Sequence, residues 1–252
     1  MASKAVNKKI RKRKRRFMFL VFLVLVATCV YFIFRTSIFN INEVIVKGNE
    51  QIETEKVILA SGIEKGINIF KLNKSAVIEN IKMHPYVKEV RVFRKLPDKI
   101  VIDIVERKEA FIVKAMNTFV YVDEEGIILN VLSEKNNLDI SELNGFSINN
   151  IIIGNNLKLE DEISTSEILN FIDRCSKASI LNQISIIKKD KEDELVITLK
   201  NGINIEFGNL KEIEHKLAFI KSILEDLKLK GINKGKICFN KGKNPVFVPV
   251  GN

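Results

Sequence analysis

Tryptophan is absent from the 252-residue sequence, while histidine, cysteine and proline are scarce at two, three and four residues. His84 precedes Pro85 in a turn, and His215 lies on the polar face of a helical pattern. Neither has a second ligand at a recognised metal spacing, so both read as structural or solvated. Cys29, Cys175 and Cys238 form no C-x-x-C pair, which excludes a dithiol redox motif. Cys175 and Cys238 can in principle pair in an oxidising compartment; their helix-core and strand positions favour two packed thiols. No P-loop, G-x-G-x-x-G or G-x-S-x-G occurs, removing the common nucleotide-binding and hydrolase signatures. The acidic runs Asp123-Glu124-Glu125 and Glu160-Asp161-Glu162 match no calcium-loop spacing and read as solvated turns. The expectation is therefore no enzyme: no catalytic residues, no metal, no cofactor and no small-molecule substrate.

Acidic residues are missing altogether from positions 1–35, which carry ten basic ones. Taking these ten from the total of 41 leaves 31 basic against 31 acidic side chains in 36–252. The net charge of +10 thus belongs to one end of the chain. A folded nucleic-acid binder would carry its excess on a domain face, so no nucleic-acid partner is expected. The 46% hydrophobic content argues against general disorder, and the length suits two modest domains.

Residues 17–34 contain no charge, proline or glycine. As a helix they cover about 27 Å, enough for a bilayer core with little tilt. The run ends in Tyr31-Phe32-Ile33-Phe34-Arg35 without an A-x-A-like site, so an uncleaved anchor is favoured over a signal peptide. Val26-Ala27-Thr28-Cys29 is a poor lipoprotein box, with Thr before the Cys. On the amino side stand Lys8, Lys9, Arg11, Lys12, Arg13, Lys14, Arg15 and Arg16; the near carboxyl side has only Arg35. The positive-inside rule predicts a cytoplasmic N-terminus, a 1–16 basic tail touching anionic lipid, and export of 36–252.

Alternation and helical spacing then predict a strand over 41–47, a helix from an N-cap at Thr54 to Ser61 with Gly62 at its left-handed end, and a Gly66–Phe70 turn. A second helix follows, capped by Asn73 and broken at His84-Pro85. Strands are expected over 87–94 and 100–106, joined through Lys95-Leu96-Pro97-Asp98. From Phe111 the strands shorten. Phe119–Val122 and 127–129 flank a turn at Gly126, 133–145 reads as loop, and Ser166–Lys177 as a helix with Ile168, Leu169, Ile172 and Cys175 toward a core. Strands are expected at 184–188, 195–200 and 203–207, the last two joined by a type I′ turn at Asn201-Gly202. Asn209 is expected to cap a long helix closed by Gly231, before a last strand over 236–240.

Certain of these residues carry a resemblance. Phe39-Asn40-Ile41, Val44-x-Val46-x-Gly48-Asn49 and Gly66-x-Asn68-x-Phe70 are followed by His84-Pro85-Tyr86-Val87-Lys88-Glu89-Val90-x-Val92. Arg94-x-Leu96-Pro97-Asp98-x-Ile100-x-Ile102-x-Ile104-x-Glu106-Arg107 completes the set. The stretch resembles a POTRA domain. Behind a basic tail and one span, the chain resembles the FtsQ/DivIB family of bacterial cell-division proteins. Glu109 stands where many relatives have proline. The resemblance implies an α+β protein: a single N-terminal transmembrane helix over 17–34, a β-α-α-β-β POTRA domain over 38–107, and a second mixed β-rich domain over 108–241 with helices on its sheet. A 242–252 tail follows.

By the same resemblance the protein is a single-pass scaffold of the division machinery, in the cell membrane and enriched at the septum. It links early and late division proteins and binds an FtsB/DivIC-like protein zipped to FtsL. The matching positions are the last strand and tail, Ile237, Cys238, Phe239, Asn240, Lys241, Val246, Phe247 and Val248, with the preceding helix. Alternation sets Ile237, Phe239 and Lys241 on one face, Cys238 and Asn240 on the other. The first domain offers a second edge at Val90, Val92 and Arg94. Exposed edges are templates for a partner strand. The alternative is a POTRA-bearing translocation or chaperone component that binds client strands by the same chemistry. A membrane-anchored wall hydrolase would need catalytic groups that the sequence does not supply.

Replacing the eight basic residues of 8–16 with Gln, and adding Lys after Arg35, should invert the chain. A carboxyl-terminal tag would then change from protease-accessible to protected in intact protoplasts.

Overall fold

A computed structural model describes residues 2–160, 163–190, 194–239 and 245–249, with side chains from Lys14 onward. The helix α1 covers Ala2–Arg35, and its Lys14–Arg35 stretch is long and apolar enough to cross a membrane. The chain divides into two compact units, Met1–Lys82 with Glu89–Glu106, and Met83–Lys88 with Arg107–Asn252.

In the first unit, β1 (Glu43–Lys47), α2 (Thr54–Ser61), α3 (Lys74–Lys82), β2 (Val87–Lys95) and β3 (Lys99–Glu106) follow in the expected β-α-α-β-β order. β1 pairs in parallel with β3, and β3 is central in the order β1-β3-β2. Ile100, Ile102 and Ile104 of β3 face Val57, Val77 and Ile81 of the helices in the core, all buried. Polar residues of the motif tie down backbone. Glu106 accepts from the N–H groups of Gln51 and Ile52 at 2.8 and 2.9 Å. Arg94 donates to the carbonyls of Ile69 and Leu72 at 2.8 and 2.9 Å. Asn73 caps α3 by accepting from Ser75 and Ala76. Thr54 is not a cap, however: Glu53 holds that position, and the Thr54 hydroxyl accepts from Asn49. Gly48 adopts φ +79°, and a Cβ there would meet the Ile104 carbonyl oxygen at 2.1 Å, so only glycine lets β1 leave β3 here.

The second unit is one nine-stranded mixed sheet. Its strands are β4 (Phe111–Ala115), β5 (Thr118–Val122), β6 (Ile128–Leu132), β7 (Ser141–Asn144), β8 (Ile184–Lys189), β9 (Leu195–Leu199), β10 (Asn204–Gly208), β11 (Gly235–Cys238) and β12 (Val246–Pro249). They lie in the order β12-β11-β10-β9-β8-β7-β4-β5-β6. Two helices, α4 (Thr165–Lys177) and α5 (Ile213–Leu229), supply the crossovers of the parallel pairs β7–β8 and β10–β11. Phe171 of α4 meets Phe207 of β10 edge-on at 5.0 Å. Ile168, Ile172, Leu217 and Ile220 complete that buried face.

Three sequence expectations fail here for local reasons. β7 falls inside the predicted 133–145 loop, because Ser141-Glu142-Leu143-Asn144 carries one apolar residue. Two of its polar side chains are met internally, the Ser141 hydroxyl by the Leu181 and Ile184 carbonyls and Glu142 by Lys135 at 3.0 Å, while the buried Asn144 Oδ1 has no partner among the described residues. At Asn201-Gly202 only the glycine has positive φ, +91°. Leu199 accepts from Gly202, giving a turn closed by a left-handed glycine rather than type I′. Asn209 does not cap α5, which begins after Glu212 at φ +52°; Asn209 instead accepts from Lys211 and Lys216. A missed signal is the Ser164-x-x-Glu167 capping box that starts α4.

Asp123 also departs from the solvated-turn reading. It is 2% exposed and pairs with Arg107, while its Oδ1 accepts from the N–H groups of Glu125 and Ile127 at 3.0 and 2.7 Å. Glu125 joins Arg107 at 2.6 Å and Lys88 at 2.9 Å. Tyr86 donates to Glu109 at 2.7 Å, so the residue that departs from the family pattern has a partner here. Burial pushes the Tyr86 phenol well above its ordinary range.

Removing Asp123 would leave Arg107 half-desolvated and two N–H groups unmet. Asp123→Ala should therefore destabilise this unit by about 3 kcal/mol in urea unfolding. The Arg107 hydrogen bond, then that of Lys88, holds the Glu125 carboxyl below its ordinary 4.5. A depressed carboxylate stabilises the fold above that ordinary value, and the contribution is lost as pH falls through the lower folded value. Glu125→Gln should accordingly cost under about 1 kcal/mol at pH 7, the group being half exposed. The difference from the parent chain should vanish in acid.

Candidate functional site

Among the described residues, no group of three or more His, Cys, Asp or Glu is placed to hold a metal ion. The Nδ1 of His84 accepts from the Tyr86 N–H at 3.3 Å, and His215 packs on Phe219 at 4.8 Å. Burial pushes the Cys175 thiol up to about 12, so it stays protonated and inert at neutral pH. Clefts of about 270 and 390 Å³ beside α5 share Ala178, Ser179 and Lys221. The strand edges of the two sheets are the sites that the resemblance singles out.

The nine-stranded sheet ends in β6 and β12. β6 is partly covered, since Ile128 donates to the Asn155 carbonyl at 2.9 Å and accepts from the Gly154 N–H at 2.8 Å. At the other end, β12 pairs antiparallel with β11, matching Gly235 to Pro249, Lys236 to Val248, Ile237 to Phe247 and Cys238 to Val246. Val246 and Val248 are 47% and 43% exposed, whereas Phe247 packs against the core.

Phe247 is held by a glycine. A Cβ on Gly235 would come within 2.2 Å of the Phe247 ring, so the ring lies on the bare backbone of β11. The arrangement resembles aromatic coverage of glycine in designed sheets. No sequence signal singled out Gly235.

This geometry redistributes the predicted residues. Ile237 and Cys238 are fully buried in β11, which is flanked on both sides, in parallel by β10 and antiparallel by β12. They belong to the interior, and the end strand is β12. Phe239 donates its N–H to the Glu206 carbonyl at 3.0 Å and sets its ring 6.1 Å from Phe207. Asn240 and Lys241 lie outside the described residues. Val246, Phe247 and Val248 form the strand that carries the edge.

In the first unit β2 is an end strand of its sheet, but the parity differs from the named residues. Val90 and Val92 are buried in the core, and Arg94 is spent on the Ile69 and Leu72 carbonyls. The side chains on the open face are Glu89, Arg91 and Phe93, with Glu89 and Arg91 paired at 3.2 Å. Lys74 occupies the Val92 carbonyl at 3.1 Å. In α1 the described basic side chains Lys14, Arg15 and Arg16 are exposed at the start of the apolar stretch; Lys8, Lys9, Arg11, Lys12 and Arg13 share the helix backbone.

Comparison with known proteins covers both units. An FtsQ-type POTRA domain model matches residues 39–107, and a model of the C-terminal part of cell division protein FtsQ/DivIB matches 110–237. The cell division protein DivIB of Clostridium botulinum is 32% identical over 253 residues, 95% of this chain and 94% of its own. The cell division protein FtsQ of Syntrophotalea carbinolica is 26% identical over 199 residues, 78% of this chain and 69% of its own. The solved extracytoplasmic domain of DivIB from Geobacillus stearothermophilus overlaps 49% of this chain and 96% of its own. Its 17% identity and TM-score of 0.32 are too low to add to the topology above. With one model on each unit and a relative matched along nearly its whole length, the chain belongs to the FtsQ/DivIB family of cell division proteins.

Proposed function

We propose that the protein is a non-enzymatic, single-pass scaffold of the bacterial division machinery that works by lending strand edges to its partners. Its N-terminus lies in the cytoplasm, held there by the basic residues from Lys8 to Arg16 on anionic lipid, and α1 spans the membrane. The POTRA domain (38–107) and the β-rich domain (108–241) act outside, at the septum. The observation that carries the reading is β12: a terminal strand of a nine-stranded sheet with Val246 and Val248 turned outward.

The β-rich domain holds an FtsB/DivIC-like chain, itself paired with FtsL, by adding a partner strand to β12. Val246 and Val248 give apolar contact, Phe247 anchors the strand, and Ile237 and Cys238 of β11, with Phe239 after it, support it. Asn240 and Lys241, next in the sequence, belong to the same proposed binding region. The β2 edge, at Val90, Val92 and Arg94, serves recruitment through its backbone, with Arg91 and Phe93 as the side chains a partner would meet. The division names of the family favour this reading over a translocation or chaperone role.

Val246→Asp with Val248→Asp places charges on the outward positions without touching the core. Capture of the coiled-coil pair should weaken at least tenfold, about 1.4 kcal/mol, with thermal unfolding unchanged. Gly235→Ala should reach the same loss by another route. The methyl displaces the Phe247 ring, so amide exchange at 246–249 should quicken while the central strands β4 and β7–β9 keep their protection. Undiminished capture by the double variant would remove β12 from the interface.

A further inference from the structure

We infer that the Gly66–Lys71 loop of the first unit is a membrane-contact surface, seated among the phospholipid headgroups at the end of α1. The inference rests on α1 being the span proposed above. The carboxamide of Asn68 is buried and fixed at both ends: Nδ2 donates to the Ile33 carbonyl of α1 at 2.9 Å, and Oδ1 accepts from the Phe70 N–H at 3.0 Å. The ring of Phe70 lies 6.2 Å from Phe34 and 5.4 Å from Phe39. Backbone bonds lace the same loop to the chain leaving the helix: Ile69 donates to Phe39, Ile41 to Ile67, and Gly66 to Ile41, each at 2.8 Å.

Depth follows from the helix rise. Ile33 is two residues before Arg35, about 3 Å along the axis. The uncharged run 17–34 covers about 27 Å against a hydrocarbon core of about 30 Å, so no length is spare to lift its last turn clear of the boundary. A loop bonded to the Ile33 carbonyl therefore lies at the boundary too.

The chemistry suits that depth. Phe34 and Ile38 are 46% and 64% exposed, Phe70 is half-buried, and the exposed Arg35 and Lys71 stand next to Phe34 and Phe70. Aromatic rings beside basic side chains are what the interface of a bilayer accepts, the cations meeting anionic headgroups. Asn68 also satisfies a terminal helix carbonyl where water is scarce.

The test uses the full chain carrying Cys29→Ser in phosphatidylethanolamine–phosphatidylglycerol vesicles. Nitroxides are placed at Lys71→Cys, at Leu23→Cys within the run, and at Leu59→Cys, an 83%-exposed site on α2. The oxygen-to-nickel collision ratio should be highest at 23 and severalfold higher at 71 than at 59. A ratio at 71 equal to that at 59, with 23 in hydrocarbon, would overturn the loop placement alone. An aqueous reading at 23 would overturn the span and the loop placement with it. Independently, Phe34→Cys with Phe70→Cys should crosslink on oxidation in the same vesicles, and failure to do so would remove the docking on which the placement depends.

Discussion

A sheet that does not close on itself ends in two strands with unpaired backbone groups, and the second unit treats its two ends differently. β6 is capped at Ile128 by the return of the chain through Gly154 and Asn155. Among the described residues, β12 is held from its inner side, by β11 and by the ring of Phe247 resting on Gly235. Edges left open are ordinarily a hazard, since they pair with whatever strand they meet. Pro249 within β12 limits that hazard, since it has no N–H to offer a neighbouring strand. Positioning β12 thus depends on the whole crossover before it, since α5 must return the chain for β11 to join β10 in parallel.

The polar residues that carry the family resemblance have a common physical role. Asn68, Arg94 and Glu106 each satisfy backbone groups in loops that regular hydrogen bonding does not reach, and Asp123, outside the motif, does the same. An unmet buried N–H or carbonyl costs about 1–3 kcal/mol. Residues of this kind are constrained by the fold itself.

How much was legible follows from the same distinction. Elements with one buried face declared themselves, as in the alternation of Ile100, Ile102 and Ile104 or the spacing of Ile213, Leu217 and Ile220. β7 was hidden because Ser141 and Glu142 are buried with partners in the protein instead of in water, which erases the period-two signal. In β2 the alternation of Val90 and Val92 marks core positions, and the exposed side chains of the strand are Glu89, Arg91 and Phe93. The last strand was displaced by one. Ile237 looks like a terminal strand residue until the antiparallel return of 246–249 appears, and nothing local announces that return. Gly235 is legible only as a pair with Phe247, twelve residues later in the chain.

A four-residue edge also sets a limit on how the protein can hold a partner. Alternate residues of a strand direct their backbone groups toward one side, so β12 can offer only a few hydrogen bonds, each worth about 0.5–1.5 kcal/mol net. Micromolar binding needs about 8 kcal/mol. The outward valines supply part of the difference, since burying an aliphatic side chain contributes about 1.5–3 kcal/mol. Confinement supplies another part. A scaffold and a partner anchored in the same membrane meet at an effective concentration far above that in solution, and in the proposed topology α1 provides that confinement. On the proposed reading the anchor and the edge form one mechanism: the membrane raises the encounter concentration until a short edge suffices, and the shortness of the edge keeps it from pairing indiscriminately.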